Sequence, residues 1–306
     1  MNFIKNKIFV VCVVGFALVV FFTIEKFASG SDERVISMNQ NLVKIHPGVE
    51  GIYDAKSQGF EVMNHPSGVF SYTKHWDNSG TVKVVHGSRG FEINNVAILT
   101  ALGDGNFPGR GVDNWDVLFS ISSKKEISLE EARDRTMELL EKIRAAGWQR
   151  YVETSDPRLL GRQAMIYALA EPGRIYSLDS KYTPTLEEWG KLIDIEPRWN
   201  FYADGVFVSL TFSYHASSNP GMGSYLMDVE ISTASDAYAA YFSRDSVEKK
   251  KNWKEYLSDK LLSVREERVK AEAKLDPHEF TIDTSYQAPP FESPDFSAKA
   301  KVDAAH

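Results

Sequence analysis

The stretch Val206-Phe-Val-Ser-Leu-Thr-Phe-Ser213 alternates apolar and polar side chains, and Tyr225-Leu-Met-Asp-Val-Glu-Ile231 repeats the pattern a few residues later. A period of two places every second side chain on one face of a strand, so each stretch predicts a half-buried β-strand. Asn219-Pro220-Gly221 lies between them and favours a tight turn. The two strands are therefore predicted to pair antiparallel, and Asp204-Gly205 is the turn that leads into the first.

Short β-like runs occupy most of the chain before this pair. Gly68–Thr73 and Thr81–Val85 flank the turn-forming residues Asp77-Asn78-Ser79-Gly80, which predicts a hairpin. Further strands are predicted at Trp115–Ile121, Trp148–Val152, Gln163–Leu169 and Arg198–Tyr202.

Two capping signals predict helices between the strands. Ser128-Leu-Glu-Glu131 opens a helix that Gly147 ends, with Ser128 and Glu131 satisfying each other's free backbone amides. Thr185-Leu-Glu-Glu188 repeats the signal ahead of a shorter helix, and Ser235 is expected to cap a third.

The stretch from Arg244 to Leu275 predicts a long, heavily charged helix with a narrow apolar stripe. Trp253, Leu257, Leu261 and Val264 form that stripe, which is expected to pack on the chain's own sheet; docking on a partner or a second copy is the alternative. Asp276-Pro277 ends the helix, and residues 276–306 are expected to form a flexible tail.

These elements predict an α+β fold in which helices pack on one or more antiparallel sheets. Leu-Glu-Glu followed by a helix and a Trp-x-x-Tyr strand occurs twice, ending at Tyr151 and at Tyr202. Two interpretations stay open: residues 46–170 and 171–275 are related halves of the domain at 46–275, or the echo is coincidence.

The segment Ile8–Ile24 carries no charged residue and is rich in β-branched and aromatic side chains, including Val14 and Phe16. About 17 helical residues span roughly 26 Å, which is the low end for a bilayer core. Lys5 and Lys7 lie before it, and the positive-inside bias puts the N-terminus in the cytoplasm. We expect an anchor at 1–27, a tether at 28–45 and a periplasmic domain beyond; a cleaved signal peptide is the alternative.

Charge and cysteine content narrow the possible partners. The formal net charge of −7 argues against nucleic acid and permits a basic protein partner. Cys12 is the single cysteine and lies inside the apolar segment, so the remainder of the chain can form no intramolecular disulfide.

No catalytic, metal or cofactor motif is recognised. His65, His75 and His86 have spacings that match no short metal-ligand pair. Gly103–Gly111 is rich in glycine, but the element predicted after it is a strand, whereas a phosphate loop leads into a helix. A recognition loop is the better interpretation, and its candidate partner-binding residues are Asp104, Asn106, Arg110 and Asp113.

Three segments together resemble a known class of proteins: Tyr182–Trp189, Trp199–Gly205 and Tyr225–Ile231. In their aromatic pattern they are similar to membrane-anchored periplasmic immunity proteins of Gram-negative interbacterial toxin systems, including type VI secretion. The resemblance implies a protein that binds a cognate toxin and blocks it, with no catalytic residues of its own. The alternative is an envelope hydrolase or other enzyme whose active-site residues are far apart in the sequence.

Overall fold

The structure is a computed structural model that describes residues 41–171, 173, 175–243 and 245–292. The predicted anchor, with Ile8, Val14, Phe16 and Ile24, and the first part of the predicted tether lie outside the described residues. Among the described residues, no helix has both the length and the apolar character needed to cross a membrane.

Ten strands of the described chain form one sheet. Their bounds are Leu42–Ile45 (β1), Glu61–Asn64 (β2), Val69–Val84 (β3), Phe91–Asp104 (β4), Asn114–Ser120 (β5), Ile127–Ser128 (β6), Gln149–Arg150 (β7), Arg198–Ala203 (β8), Val206–Ala216 (β9) and Met222–Thr233 (β10). The main order is β1-β3-β4-β5-β10-β9-β8-β7, with β2 on β3 and β6 on β10. Because β1 runs parallel to β3 and the other pairs are antiparallel, the sheet is mixed, where the sequence predicted an antiparallel one.

Seven α-helices occur within the described residues: Val49–Ser57 (α1), Leu129–Ala145 (α2), Gly161–Ala170 (α3), Leu186–Leu192 (α4), Ala234–Ala239 (α5), Val247–Lys251 (α6) and Trp253–Glu272 (α7). Short 3₁₀ turns follow at Ile193–Ile195, Ala240–Phe242 and Pro290–Glu292. This confirms the predicted α+β class.

The sheet has an apolar face and a polar face. The apolar face includes Trp199, Leu210 and Val229, and it joins the main hydrophobic core with buried side chains of α2. Trp189 of α4 stacks on Trp199, with ring centroids 6.3 Å apart. A second, smaller core lies on the opposite side of the sheet. It joins Tyr151 and Phe207 to helices α5 and α7 through Tyr238, Trp253, Leu257 and Leu261.

Several predicted elements are confirmed. Strands β9 and β10 pair antiparallel over eleven residue pairs, from Gly223 opposite Ala216 to Thr233 opposite Val206. Thr185 and Glu188 form the predicted reciprocal capping box of α4. Ser128 caps α2 by accepting a hydrogen bond from the Glu131 amide.

The predicted hairpin at Asp77–Gly80 is wrong, because both of its arms belong to the single strand β3. The turn-forming residues form a bulge within β3, where Asn78 has a φ of 51°. From His75 to Gly80 the chain advances five residues along β3, whereas the paired strand β4 advances only two. A bulge uses the same residue types as a turn, so composition did not distinguish them.

Other boundaries also differ from prediction. The stretch Gln163–Leu169 lies in helix α3 instead of a strand, because Ala164, Met165 and Ala168 are buried at helical spacing. Thr233, and not Ser235, accepts the capping hydrogen bond of α5. The long charged helix is divided at Asn252 into α6 and α7.

Described parts of the predicted tether and tail belong to the folded domain. Residues 42–45 of the tether form β1, in which Val43 and Ile45 are buried. The first part of the tail folds back on the domain and ends with the side chain of Glu292 only 2% exposed.

Candidate binding face

Polar side chains form a row across five neighbouring strands on the polar face. Thr100 of β4 lies opposite Asp116 of β5, which lies opposite Glu230 of β10. Glu230 in turn lies opposite Ser209 of β9, which lies opposite Asn200 of β8. Residues directly opposite in a sheet point to the same face, so these five side chains form one line, called here the polar row.

A second line runs beside the polar row, one pleat away. Asp228 of β10 lies in it, with Thr211 and Leu118 on its two sides and Arg198 beyond Thr211. Asp116 and Asp228 share a side-chain hydrogen bond. Two carboxyl groups can share a hydrogen bond only when one of them carries a proton. Asp116, Asp228 and Glu230 are called the carboxyl cluster below.

Burial and mutual repulsion favour the protonated form of two members of the cluster, Asp116 and Asp228. The pKa of Asp116 is raised well above its ordinary value, first by burial and then by the charge of Asp228. Burial also raises the pKa of Asp228, with Glu230 adding to the effect, while the hydrogen bond from Asp116 and the charge of Arg198 oppose it. Asp116 and Asp228 therefore lie in an environment that disfavours their ionised forms, as expected where like charges lack neutralising partners.

Within the described residues, no Lys or Arg nitrogen lies within 4 Å of a carboxylate of the cluster. Glu230 instead accepts hydrogen bonds from Asn114 Nδ2 at 2.6 Å and from Ser232 Oγ at 3.3 Å. These donors are neutral, so the negative charge of Glu230 is solvated by dipoles and not cancelled.

Three buried oxygen atoms on adjacent strands have no hydrogen-bond partner: Asn200 Oδ1 on β8, Ser209 Oγ on β9 and Asp228 Oδ1 on β10. Leaving one buried polar atom unsatisfied costs about 1–3 kcal/mol. This part of the polar face is thus less stable than an apolar surface of the same size would be, which is typical of positions kept for a function.

More acidic groups continue the face beyond Asn114. Burial raises the pKa of Asp113 to about 6, with Arg110 opposing the shift. Burial, together with Asp113, raises the pKa of Asp236 to about 7. Asp113 and Asp236 are therefore largely protonated at mildly acidic pH, and the polar face becomes more negative as they ionise between pH 6 and pH 8.

The four residues of the predicted recognition loop make contacts of their own and are not members of the carboxyl cluster. Asn106 Nδ2 donates to Asp104 Oδ1 at 2.8 Å, which closes the turn after β4. The guanidinium of Arg110 lies over the ring of Phe107 and donates to the backbone oxygen of Lys250, so it attaches the loop to α6. Asp113 is buried at the end of the loop. A partner-binding role for this loop remains a prediction.

The histidines and cavities point to no other site. His86 Nε2 lies 3.1 Å from the backbone oxygen of Ala203, and no group of three potential metal ligands occurs within the described ranges. A cavity of about 10 Å³ beside α3, lined in part by Met165 and Trp199, has room for about one water molecule. A depression of about 390 Å³ lies on the surface of α2, between Ser128 and Glu138.

Each residue of the carboxyl cluster has a recognisable pattern in the sequence. Asp116, Asp228 and Glu230 each sit at an outward position of a strand otherwise rich in apolar and aromatic residues. A single acidic residue at such a position usually indicates only that this face of the strand is exposed to solvent. The sequence could not indicate that three of them meet on adjacent strands, because strand order is not readable from local pattern.

Comparison with protein-family models, with curated proteins and with solved structures found no match for this chain. Function is therefore inferred from the geometry of the polar face.

Proposed function

We propose that this chain is a binding protein whose polar face receives a positively charged protein partner. One observation carries the proposal: three carboxyl groups lie together in the middle of the sheet without a neutralising Lys or Arg within 4 Å among the described residues. A basic side chain brought by a partner would supply the charge that the cluster lacks. It would also favour the ionised form of Asp228, which folding alone disfavours.

In its cellular setting, the protein is proposed to be held at the outer face of the inner membrane by residues 8–24, with the domain in the periplasm. The resemblance to immunity proteins suggests a cognate toxin as the partner and inhibition as the result. The net charge of −7 supports electrostatic steering toward a basic toxin.

The first step of the binding experiment is to look for a toxin-like gene next to the gene for this chain, and an isolated metabolic operon would count against the proposal. Binding of the toxin-like product to the full-length chain is then followed at several salt concentrations. Asp228→Asn combined with Glu230→Gln is expected to weaken binding tenfold or more and to flatten its salt dependence. The control combines Glu138→Gln with Glu267→Gln, two exposed helix positions, and removes the same charge. Equal effects of the two double variants would show that only net charge matters and that the carboxyl cluster is not the contact.

Topology has its own test. A reporter enzyme that works only in the periplasm, fused after His306, is expected to be active, and a cytosolic reporter at the same place is expected to be inactive. The reverse pattern would remove the periplasmic placement and the proposed toxin partner together.

The hydrogen bond between Asp116 and Asp228 supports an enzyme as the second candidate. Two carboxyl groups that share one proton are the arrangement that aspartic proteases use for acid–base hydrolysis. Release of soluble fragments from purified peptidoglycan, abolished by Asp116→Asn, would favour this candidate. Binding of a basic partner that survives Asp116→Asn, without any hydrolysis, would favour the first.

A further inference from the structure

The residues after α7 fold back over the domain as a segment held mainly by side chains. This strap, Pro277–Glu292, forms no pairing with the sheet. Gln163 of α3 forms two hydrogen bonds with the backbone of the first part of the strap. Its Nε2 donates to Glu279 O at 2.9 Å, and its Oε1 accepts from Thr281 N at 3.1 Å. Farther along, Asp283 N donates to Arg158 O at 2.7 Å.

The strap ends in a socket that encloses the carboxylate of Glu292. Thr154 Oγ1 donates to Glu292 Oε2 at 2.6 Å. Tyr151 and Tyr238 donate their hydroxyls to Glu292 Oε1 at 3.0 and 3.1 Å. Phe291, beside it, packs edge-on against Trp253 with ring centroids 5.7 Å apart. The last described turn of the strap thus covers the second hydrophobic core.

A second carboxyl group lies next to the socket and shares one of its donors. Glu153 Oε2 accepts from the Tyr151 hydroxyl at 3.3 Å, and Glu153 Oε1 accepts from Asn200 Nδ2 at 3.3 Å. Within the described part of the chain, no Lys or Arg nitrogen lies within 4 Å of the carboxylate of Glu153 or Glu292. Asp156 adds a further negative charge nearby.

Other charged and titratable groups face this pair from every packed element. They are Tyr202 and Arg198 of β8, Tyr238 and Tyr241 from α5 and the turn after it, Arg265 and Arg268 of α7, and Tyr286 of the strap. Burial raises the pKa of the four tyrosines, so they stay neutral near pH 7. Arg268 donates to the backbone oxygens of Val152, Glu153 and Asp156, and Arg265 donates to the backbone oxygen of Glu292. Arg265 and Arg268 therefore hold carbonyl groups around the socket.

We propose that the strap is a pH-sensitive latch: it is closed while Glu153 and Glu292 are protonated, and it opens when both become charged in the same socket. Opening would lift Phe291 from Trp253 and Tyr238 and would expose the aromatic side of the second core.

The direction follows from the environment of the two acids. Burial, then Asp156 and Glu292, raise the pKa of Glu153 from 4.5 to about 7, against the opposing effects of Arg198 and the Tyr151 hydroxyl. Burial also raises the pKa of Glu292, and it outweighs the hydrogen bonds from the socket hydroxyls and the charge of Arg268, which lower it. A group whose pKa is raised in the closed form binds its proton more tightly there than in the open form. The closed form is therefore favoured below pH 4.5 and loses that advantage as pH rises to about 7. For Glu153 alone, the closing equilibrium changes by up to about 300-fold.

Hydrogen exchange of the full-length chain, corrected for the intrinsic effect of pH, tests the latch. Between pH 5 and pH 8 the protection of strap amides, such as those of Asp283 and Glu292, is expected to fall at least tenfold. Amides of β9 should keep their protection, since the sheet stays folded. Trp253 should become more accessible to a collisional quencher over the same range.

Two variants locate the effect. Glu153→Gln removes the second charge and is expected to reduce the fall in protection to less than threefold. Glu279→Gln, at an exposed position in the same strap, should leave the pH response as in the unmodified chain. The latch is overturned by strap protection that does not change with pH, by an equal loss in β9, or by a response that Glu153→Gln leaves intact.

Discussion

Replacing Asp228 by asparagine tests whether the carboxyl cluster is kept for binding at the expense of stability. Asparagine has nearly the same shape and can still accept the hydrogen bond that Asp116 donates. The change removes one charge from a partly buried face on which Glu230 lies two positions along the same strand. Side chains two positions apart on a strand are separated by about 7 Å, and two charges at that distance repel by about 0.6–2.4 kcal/mol for an effective dielectric constant between 80 and 20.

We therefore expect Asp228→Asn to increase the free energy of unfolding at pH 8 by about 1–2 kcal/mol, or about 2–8 °C in melting temperature. The gain should shrink at pH 5. Because the pKa of Asp228 is raised in the folded protein, the wild-type penalty grows as pH rises above the ordinary value of that group and is absent below it.

The assay is urea unfolding of the full-length chain and the variant at pH 5 and pH 8, with Glu138→Gln as the exposed control of equal charge. The control should change the free energy of unfolding by less than about 0.5 kcal/mol. If Asp228→Asn is destabilising by 1 kcal/mol or more at pH 8, the carboxylate is satisfied by its surroundings. The cluster would then be a structural feature of the sheet and not an incomplete binding surface.

Two further pairs of variants test the packing. Trp115 donates its ring N–H to a backbone oxygen at 2.9 Å, whereas the buried N–H of Trp189 has no partner. Trp115→Phe should therefore lower the free energy of unfolding by about 1–3 kcal/mol more than Trp189→Phe, as measured by urea unfolding. Gly111 and Gly59 both have positive φ, but an added Cβ meets the backbone of Gly48 at Gly111 and nothing within 4 Å at Gly59. Gly59→Ala should cost about 1 kcal/mol and Gly111→Ala at least 2 kcal/mol more, and equal losses of melting temperature would contradict the close approach.

Local signals predicted the local parts of this fold. The cap of α4 was predictable because Thr185 and Glu188 are neighbours in sequence and satisfy each other's backbone partners. The pairing of β9 with β10 was predictable from two local features. The alternation of apolar and polar residues sets which side chains point to the core, and the short turn sets the register of the two strands. In both cases the interacting residues lie close together in the chain.

Predictions failed where the same residues serve two structures. Asp77–Gly80 has the composition of a hairpin turn, but strand β3 continues through it, and Gly80 lies where a Cβ would press on the ring of Trp76. The run Gln163–Leu169 is short and apolar, which suits a buried strand and a buried helix equally well. Only the neighbours in three dimensions select between these alternatives, and they are contributed by distant parts of the chain.

The polar row is the extreme case of this dependence. Thr100, Asp116, Asn200, Ser209 and Glu230 come from five strands, and they meet because β10 lies between β5 and β9. The chain between β6 and β8 is a long connection that includes helices α2 to α4. Its sequence does not indicate beside which strand the chain re-enters the sheet. Each acid alone resembles a solvated surface residue, whereas their assembly leaves buried oxygens unpaired and charges uncancelled. Stability alone would not favour this arrangement, so the row is the part of the fold in which the proposed partner would satisfy the most unpaired groups.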